Sequence, residues 1–315
     1  MNGQRRANTR RVRVGGREIE LTNLEKVLFQ EPGITKGELI GYYGRIAPVM
    51  LPLIKGRPLT LHRFPGGAGE AGFYQKKAAG YFPEWVNRVS IDLRMGRAEK
   101  RMVQITCENK ATLIYLANLA CIPHVWLSRT DRINYPDRMI FDLDPPDSGF
   151  EAVRYGALIM REILMEAGIE PFVMTTGSRG LHVVVPLDRE TDFGETREFA
   201  AAIAGMIAGL APDYFTVEIA KQKRAGRLFI DTYRNSFAQT AVAPYAVRAL
   251  AGAPVAAPVG WDEVKDKRQK LTPRKYTIRN ILERLRQRGD PWEEMDRKSF
   301  SVRSAAARLR SFSRT

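Results

Sequence analysis

The sequence predicts a protein of mixed helices and strands, either α/β or α+β, with helices on one side of a sheet. Two observations predict it. In the second half of the chain, apolar strands alternate with helical patterns in the order Met139–Leu143, Glu151–Ala167, Pro171–Thr175, Leu181–Pro186, Glu195–Leu210 and Leu228–Asp231. A glycine-containing turn at 177–180 also joins the two middle strands. This β-α-β-turn-β-α-β series excludes a purely helical bundle.

The first half of the chain carries shorter patterns of the same kinds. Residues 1–17 are basic and contain glycine, which indicates a flexible arm. A glycine-rich loop over Pro65–Gly72 precedes two aromatic residues, Phe73 and Tyr74. Periodicity and capping residues predict strand Glu18–Leu21, helix Leu24–Phe29 behind Thr22-Asn23, helix Lys36–Met50, strand Pro58–Phe64, strand Val103–Thr106 and helix Lys110–Ala120.

The last quarter of the chain has fewer apolar patterns. Leu250–Val259 is rich in alanine and proline and resembles an extended linker. Thr277–Arg288 predicts a basic helix, and Ser301–Thr315 a basic, frayed tail. There is no internal repeat, and 315 residues suffice for one large domain or two ordinary ones.

The net charge indicates what kind of partner the protein binds. Lys and Arg number 50 against 35 Asp and Glu, which gives a formal net charge of +15. Such an excess favours a nucleic acid as partner, although a generically basic surface would give the same number. The basic N-terminus lacks the apolar segment of a secretory signal, and no stretch approaches the roughly 20 apolar residues of a membrane span. We therefore expect a cytoplasmic, nucleoid-associated protein.

Cysteine and histidine are scarce. Cys107 and Cys121 are too few for a disulfide framework and lack metal-ligand spacing, so buried inert thiols are expected. The three histidines, His62, His124 and His182, make a structural zinc site improbable.

Two aspartates end the strand Met139–Leu143. Residues i and i+2 of a strand point to the same face, so Asp142 and Asp144 place two carboxylates side by side. Such a pair is unfavourable unless one carboxylate protonates or cations neutralise it, and hard divalent ions prefer oxygen ligands. Capping or turn roles would explain the pair alone. A third carboxylate, Asp231, ends another apolar strand, and three such groups can hold two metal ions for phosphoryl transfer.

A turn between these aspartates combines glycines, hydroxyls and a cation: Thr176, Gly177, Ser178, Arg179 and Gly180. Such a turn can present backbone N–H groups to phosphates, although an ordinary hairpin turn has the same composition. It lacks the Gly-Lys-Ser/Thr of a P-loop, which disfavours that class of ATPase. His182 follows the turn and fits either a core position or a phosphate contact.

Basic residues flank Asp231 in the sequence: Lys221, Lys223, Arg224 and Arg227 before it, and Arg234 and Arg248 after it. A triphosphate and a primer backbone require such positive charge. A solvated loop is the alternative.

At these residues the sequence resembles the archaeo-eukaryotic primase superfamily, above all the polymerase domain of bacterial ligase D and its stand-alone relatives in non-homologous end joining. Seven ordered segments carry the resemblance, LTNLEKVLF at 21–29, WLSRTD at 126–131, IFDLDP at 140–145, GSRGLHV at 177–183, LFID at 228–231, VAPYAVR at 242–248 and GDPW at 289–292.

The resemblance implies an α+β primase-polymerase fold. An N-terminal α/β module over 18–135 is expected to bind DNA, and a catalytic module of RNA-recognition-motif topology is expected over 136–250. A linker and helix over 251–295 and a basic tail over 296–315 complete the division that begins with the arm over 1–17.

The resemblance also implies roles for single residues. Two ions of Mn²⁺ or Mg²⁺ are expected on Asp142, Asp144 and Asp231. The nucleotide-binding positions implied are Thr176, Ser178, Arg179, Gly180, His182, His124, Arg224, Arg234 and Arg248. Lys26 and Lys36 resemble a pair that grips the 5′-phosphate of a downstream strand, and Phe73 and Tyr74 an aromatic pair that stacks at the template.

The sequence departs from the family pattern at three of these positions. The family usually has Ser at Thr176, Lys at Arg179 and Phe at Tyr74; the hydroxyl, the cation and the ring are kept, but Arg changes the geometry. The chain has no Lys-x-Asp-Gly ligase nucleophile and no histidine-rich nuclease module. We therefore expect an ATP-dependent DNA ligase acting in trans, and Ku as the end-binding partner.

These inferences converge on an end-joining polymerase. It is expected to add nucleotides, with a preference for NTPs over dNTPs, to primer 3′ ends at 5′-phosphorylated gaps and breaks by a two-metal mechanism. One alternative is a primase that starts chains de novo. The other is a non-catalytic DNA-end-binding scaffold, whose DNA binding would be indifferent to metal and nucleotide.

Overall fold

A computed structural model describes residues 9–95, 98–145 and 149–312 of the chain. The strands are β1 (Thr9–Val14), β2 (Arg17–Thr22), β3 (Val27–Phe29), β4 (Ile34–Thr35), β5 (Leu59–Arg63), β6 (Phe73–Gln75), β7 (Arg88–Met95), β8 (Ala98–Ile105), β9 (Cys121–Trp126), β10 (Arg138–Asp144), β11 (Phe172–Thr175), β12 (Leu181–Pro186), β13 (Phe215–Thr216), β14 (Leu228–Asp231), β15 (Thr240–Val242) and β16 (Pro258–Val259). The α-helices are α1 (Lys36–Ile54), α2 (Lys110–Asn118), α3 (Phe150–Glu166), α4 (Phe193–Leu210), α5 (Trp261–Lys265), α6 (Ile281–Arg288) and α7 (Val302–Phe312).

Six strands form the carboxylate sheet, in the order β13-β14-β10-β12-β11-β16. Its central strand β10 pairs antiparallel with both β12 and β14, and the register places Asp142 opposite His182 on one side and opposite Asp231 on the other. Directly opposite residues of antiparallel strands share a face, so these three side chains lie on the same face of the sheet.

Helix α3 covers the other face of this sheet. Gly156 of α3 lies so close to Leu228 that a Cβ atom at position 156 would overlap the leucine side chain. Successive residues of a strand alternate between faces, so Leu228 and Asp231 point in opposite directions. The carboxylates are therefore left uncovered by α3.

A second sheet, the N-terminal sheet, has the order β15-β9-β5-β8-β7, with β6 paired to β5. Its register puts Thr60, His124 and Val242 in one row across β5, β9 and β15. Helices α1 and α2 pack against each other beside this sheet. Strand β15 follows β14 in the sequence, yet it belongs to the N-terminal sheet. The chain therefore passes between the two sheets more than once.

The sequence-based prediction for residues 139–231 is confirmed almost residue by residue, since β12 and β14 have the predicted bounds and β10, β11, α3 and α4 differ by one or two residues. The mixed α+β class is likewise confirmed.

Two predictions near the N-terminus are wrong. Residues 9–14 of the expected flexible arm form β1, which pairs along its whole length with β2; residues 1–8 lie outside the described residues. The expected helix Leu24–Phe29 is instead a turn followed by β3, which pairs with β4. Leu28 and Phe29 are buried in this strand. A helix at this place would need an N-cap residue before it, whereas the strand does not.

Two predictions near the C-terminus are also wrong. The expected linker Leu250–Val259 is packed, because residues 253–257 are fully buried and β16 pairs with β11. The expected frayed tail contains α7, which packs against α4 and buries Val302 and Ala305; residues 313–315 lie outside the described residues. The predicted helix Thr277–Arg288 begins only at Ile281.

Candidate active site

The carboxylates lie at the end of β10 and on its neighbour β14. Asp142 is buried, with 6% of its surface exposed, and each of its oxygens faces a nitrogen of a neighbouring side chain. The His182 Nε2 atom lies 3.4 Å from Oδ1, and the Arg234 guanidinium donates to Oδ2 at 3.3 Å. Burial alone would raise the pKa of Asp142, but His182 and Arg234 outweigh it and lower the pKa to about 2. Asp142 is therefore ionised at neutral pH.

The other two carboxylates lack this compensation. Burial, and then the negative charge of Asp142, raise the pKa of Asp144 above its usual value. Burial also raises the pKa of Asp231, with a further contribution from Asp142, although the Tyr233 N–H donates to Oδ1 at 2.7 Å. The three carboxylates thus repel one another on one face of the sheet.

This donor set fits a hard divalent cation. Oxygen ligands of mutually repelling carboxylates are what such a cation stabilises. Within residues 9–95, 98–145 and 149–312, however, no three His, Cys, Asp or Glu side chains converge closely enough to form a ready-made metal site. The Asp142 oxygens face His182 and Arg234 instead.

The turn at 176–180 lies beside this carboxylate group, and one hydroxyl organises it. The Thr176 Oγ1 atom accepts the N–H groups of Ser178 and Gly180, at 3.3 and 3.2 Å. Gly177 has φ +64°, which a glycine adopts without strain. A Cβ atom at position 180 would overlap the Leu143 carbonyl oxygen, so the turn approaches β10 as closely as its backbone allows. Two of the N–H groups expected to face phosphates are therefore used to hold the turn itself.

A cavity of about 410 Å³ lies between the turn, the carboxylates and the N-terminal sheet. Both sheets contribute to its wall, which is formed by Thr60, Tyr74, Lys76, His124, Asp142, Asp144, Thr176, Ser178, Arg179, Gly180, His182, Arg234, Thr240, Val242 and Arg248. Eleven of these fifteen residues are among the predicted site residues, so the structure brings together groups that are far apart in the sequence.

The aromatic wall of the cavity belongs to the N-terminal sheet. The Tyr74 ring is 61% exposed and stacks on His62, with ring centroids 4.6 Å apart. It also meets the His124 ring edge to face at 5.7 Å. Burial, and then the charges of neighbouring arginines, hold the pKa of His124 well below its usual value, and its Nε2 atom has no hydrogen-bond partner in the described structure. His124 therefore lines the cavity as a neutral ring whose Nε2 atom is itself buried.

Comparison with known proteins relates the chain to one family. The model of the LigD primase-polymerase domain matches residues 35–292. The chain belongs to this family. The family consists of metal-dependent nucleotidyltransferases found in proteins of non-homologous end joining.

Individual relatives agree with this assignment. The chain is 32% identical over 280 residues to the multifunctional non-homologous end joining protein LigD of Mycolicibacterium smegmatis, which covers 88% of this chain and 36% of the relative. It is 30% identical over 278 residues to the bifunctional LigD of Bacillus subtilis, covering 87% and 44%. The chain thus spans less than half the length of these relatives.

A solved structure supports the fold. The polymerase domain from Mycobacterium tuberculosis ligase D, in complex with DNA, superposes with a TM-score of 0.81 at 30% sequence identity. The match covers 90% of this chain and 99% of that domain. Among the described residues, no helix has the length and apolar character needed to cross a bilayer.

Several predicted family positions lie outside the cavity wall. Asp231 pairs with Asp142 from the adjacent strand. The Arg224 guanidinium lies 3.8 Å from the centre of the Phe229 ring. Its positive charge opposes the rise in the pKa values of Asp144 and Asp231. Phe73 is half exposed beneath Arg63, on the opposite side of β6 from Tyr74. Only Tyr74 of the predicted aromatic pair therefore faces the cavity.

Lys26 and Lys36 lie together at the start of α1. The Lys36 N–H donates to the Lys26 carbonyl at 2.8 Å, and Lys36 Nζ donates to the Thr22 hydroxyl at 3.1 Å. Lys26 is exposed and donates to the Pro65 carbonyl. Burial, and then the charge of Lys26, lower the pKa of Lys36 to about 8. Among the described residues, the side-chain hydrogen bonds of both ammonium groups go to uncharged oxygens, so the pair keeps an unbalanced positive charge.

Sequence reasoning missed five residues of the site. Thr60, Lys76, Thr240 and Val242 line the cavity, and His62 supports Tyr74. Thr60 and His62 alternate on the predicted strand Pro58–Phe64, so their shared face was visible in the sequence. The row that joins Thr60 to His124 and Val242 depends on strand pairing between distant segments, for which the sequence contains no local signal.

Proposed function

We propose that this chain is an end-joining polymerase that adds nucleotides, NTPs in preference to dNTPs, to primer 3′ ends at gaps and breaks in DNA. One observation carries the proposal. Asp142 and Asp144 line one cavity together with a phosphate-type turn, three arginines and an exposed aromatic ring, and Asp231 lies opposite Asp142 on the same face of the carboxylate sheet. This set suits a triphosphate, a base and a pair of divalent cations at once.

Asp142, Asp144 and Asp231 are the proposed ligands of two Mn²⁺ or Mg²⁺ ions. Bound there, the cations would activate the primer 3′-hydroxyl and stabilise the pyrophosphate that leaves. The protein contributes position and charge. His182 and Arg234 keep Asp142 ionised, and the strand pairing fixes Asp231 beside it.

The remaining groups of the cavity are proposed to hold the nucleotide. Arg179, Arg234 and Arg248 neutralise the triphosphate, with Arg224 beside them and with Ser178 and His182 as hydrogen-bonding partners. The Thr176 hydroxyl and Gly180 keep the turn in place. Tyr74 offers a ring for stacking a base, and His124 lines the cavity beside it as a further nucleotide-contacting residue.

Lys26 and Lys36 are proposed to bind the 5′-phosphate of a downstream strand, and Phe73 to stack at the template beyond Tyr74. The neighbours named above are end-joining proteins, and one of them is in complex with DNA. We infer by analogy that the substrate is a 5′-phosphorylated gap or end in the nucleoid. Ku and an ATP-dependent DNA ligase are the proposed partners.

The test is extension of a 5′-phosphorylated gapped duplex with labelled NTPs or dNTPs and with Mg²⁺ or Mn²⁺. We expect extension of the primer in the presence of either metal, none with chelator, and no product on an unprimed template. Product on the unprimed template would favour a primase. DNA binding without any metal-dependent extension would favour a scaffold.

The carboxylates give the first prediction. Asp142→Ala and Asp144→Ala should each abolish extension, because the metal ligands are lost, while DNA binding stays largely intact. Asp213→Ala removes an exposed carboxylate that does not line the cavity and should extend like the wild type. Full activity of either cavity variant would overturn the assignment.

The lysine pair gives the second prediction. Removing the 5′-phosphate from the gapped duplex should weaken binding by the wild type, because two ammonium groups lose their partner, and should barely affect Lys26→Ala/Lys36→Ala. The exposed pair Lys55→Ala/Lys265→Ala is the control and should respond to the phosphate like the wild type. An unchanged phosphate effect in the first double variant would disprove the role of the pair.

A further inference from the structure

The backbone near Tyr276 supports the turn at 176–180 indirectly, through residues 253–257. Residues 253–257 lie between the two. On one side, the Thr175 N–H donates to the Ala257 carbonyl at 2.9 Å, and the Arg248 N–H to the Pro254 carbonyl at 2.7 Å. On the other side, the Val255 N–H donates to the Tyr276 carbonyl at 2.8 Å. The backbone near residue 276 is thus fixed relative to the turn.

A buried group anchors this segment. The Tyr276 hydroxyl and the Arg284 guanidinium both donate to the Glu263 carboxylate, which is fully buried. An ion pair with a second hydrogen-bond donor in such a place holds its members in one arrangement. The residues just before Tyr276 therefore have a defined position, although the sequence predicted an extended linker followed by a basic helix.

Arg274 extends from this anchored segment to the turn. Its side chain is exposed, and its Nε–H donates to the Ser178 carbonyl at 2.9 Å. In the part of the chain that the structure describes, neither Arg274 nor Arg248 has a carboxylate within 4.0 Å of its guanidinium. Burial lowers the pKa of Arg248, and the nearby charges of Arg234 and Arg274 add to this effect. Asp142 partly offsets this effect, but neither guanidinium group forms an ion pair beside the turn, where Arg248 donates to the Thr176 carbonyl and Arg274 to the Ser178 carbonyl.

We propose that Arg274 is a further cation of the nucleotide site. Its Nε–H holds Ser178, and its terminal nitrogens bind the outermost phosphate of the triphosphate together with Arg248. A guanidinium can donate from several nitrogens at once, so one side chain can fulfil both roles. Arg274 is not in the cavity wall, but it contacts the turn at the Ser178 carbonyl, while Arg248 lines the wall and contacts the turn at the Thr176 carbonyl. The proposal places the outermost phosphate between these two guanidinium groups. The inference rests on the proposed function, since it takes the nucleotide as the ligand.

The experiment compares nucleoside triphosphate with nucleoside monophosphate binding to the full chain on gapped DNA. Arg274→Gln should weaken triphosphate binding about tenfold, the effect of one charge-assisted hydrogen bond, and leave monophosphate binding within about twofold of the wild type. The reason is that a monophosphate has no outer phosphate. Triphosphate binding at the wild-type level, or an equal loss for both ligands, would overturn the proposal; the equal loss would mean that Arg274 only supports the turn.

The matched control is Arg268→Gln. Arg268 lies in the same segment, is 91% exposed at its side chain and pairs locally with Asp266, so its loss should leave both affinities unchanged. Thermal melting of both variants tests whether the fold is kept. Primer extension by the wild type tests the proposed function separately, so the ratio of variant to wild-type affinity reports on Arg274 alone.

Discussion

At the scale of single residues, the site depends on close backbone approach as much as on charge. Thr176 holds two N–H groups of the turn, and Gly180 lets the turn lie against β10. The distance between the turn and Asp144 is therefore set by the absence of a side chain at position 180. Asp144 itself is adjacent to Leu143, whose carbonyl oxygen occupies the space that a Cβ atom would need.

The third prediction follows from this contact. Gly180→Ala should lower the melting temperature and reduce extension strongly, because β10 and the turn must separate. Gly205→Ala is the opposite case, since a Cβ atom there meets nothing within 4 Å on the exposed side of α4. That control should stabilise the protein by about 0.5–1 kcal/mol and keep full activity. A Gly180→Ala variant with wild-type melting and extension would show that the contact does not matter.

The fourth prediction concerns the support of Tyr74. An exposed ring stacks on a base only if it is held in place, and His62 lies parallel beneath it. His62→Ala should raise the KM for nucleotide by about 2- to 12-fold, the effect of an aromatic pair worth about 0.5–1.5 kcal/mol. His62→Phe restores a ring and should recover most of the loss. An unchanged KM in His62→Ala would mean that β6 alone positions Tyr74.

At the scale of elements, the sequence predicts best where the chain forms long, regular patterns. Strands β12 and β14 were predictable because their apolar runs end at glycine, proline or aspartate. Strand β3 was not, because three residues take their conformation from pairing with β4 and not from local propensity. The site shows the same division: Asp142 and Asp144 could be predicted as a pair, but the pairing of Asp231 with Asp142 depends on a long-range register.

One junction between elements gives the fifth prediction. Asp137, just before β10, binds the buried Arg57 at the end of α1 and also Arg129. Burial alone would raise the pKa of Asp137, but the charges of Arg57, Arg138 and Arg129 hold it well below its usual value. Asp137→Asn leaves buried guanidinium groups without their counter-charge and should lower the free energy of unfolding by about 3–5 kcal/mol.

The sign of the pH dependence follows from the same carboxylate. Its pKa is depressed in the folded state, so the contribution of Asp137 is fully present above the unfolded pKa near 3.8 and is lost as the pH falls towards the folded value. Denaturant unfolding between pH 7 and pH 3 should therefore show a smaller decrease in stability for Asp137→Asn than for the wild type. Parallel decreases would exclude Asp137 as a source of the pH dependence.

At the scale of the whole molecule, each of the two sheets contains a strand that comes from outside its own part of the sequence. Strand β15 lies within residues 136–250 but belongs to the N-terminal sheet, and β16 lies within the expected linker but belongs to the carboxylate sheet. Strand pairing therefore crosses the proposed boundaries at 135 and 250. Both sheets must form together for the cavity between them to exist, because its wall takes residues from each.

Truncation tests this interdependence. A chain ending at residue 250 lacks β16, the buried residues 253–257 and the Tyr276–Glu263–Arg284 group, so it should show no cooperative thermal unfolding. A chain ending at residue 298 lacks only α7 and the residues next to it, whose buried contacts are few, and should unfold cooperatively at a lower temperature. Cooperative unfolding of the shorter chain would mean that residues 1–250 fold by themselves. The carboxylates and the turn would then form without the C-terminal segment. The turn would not need the support of residues 253–257.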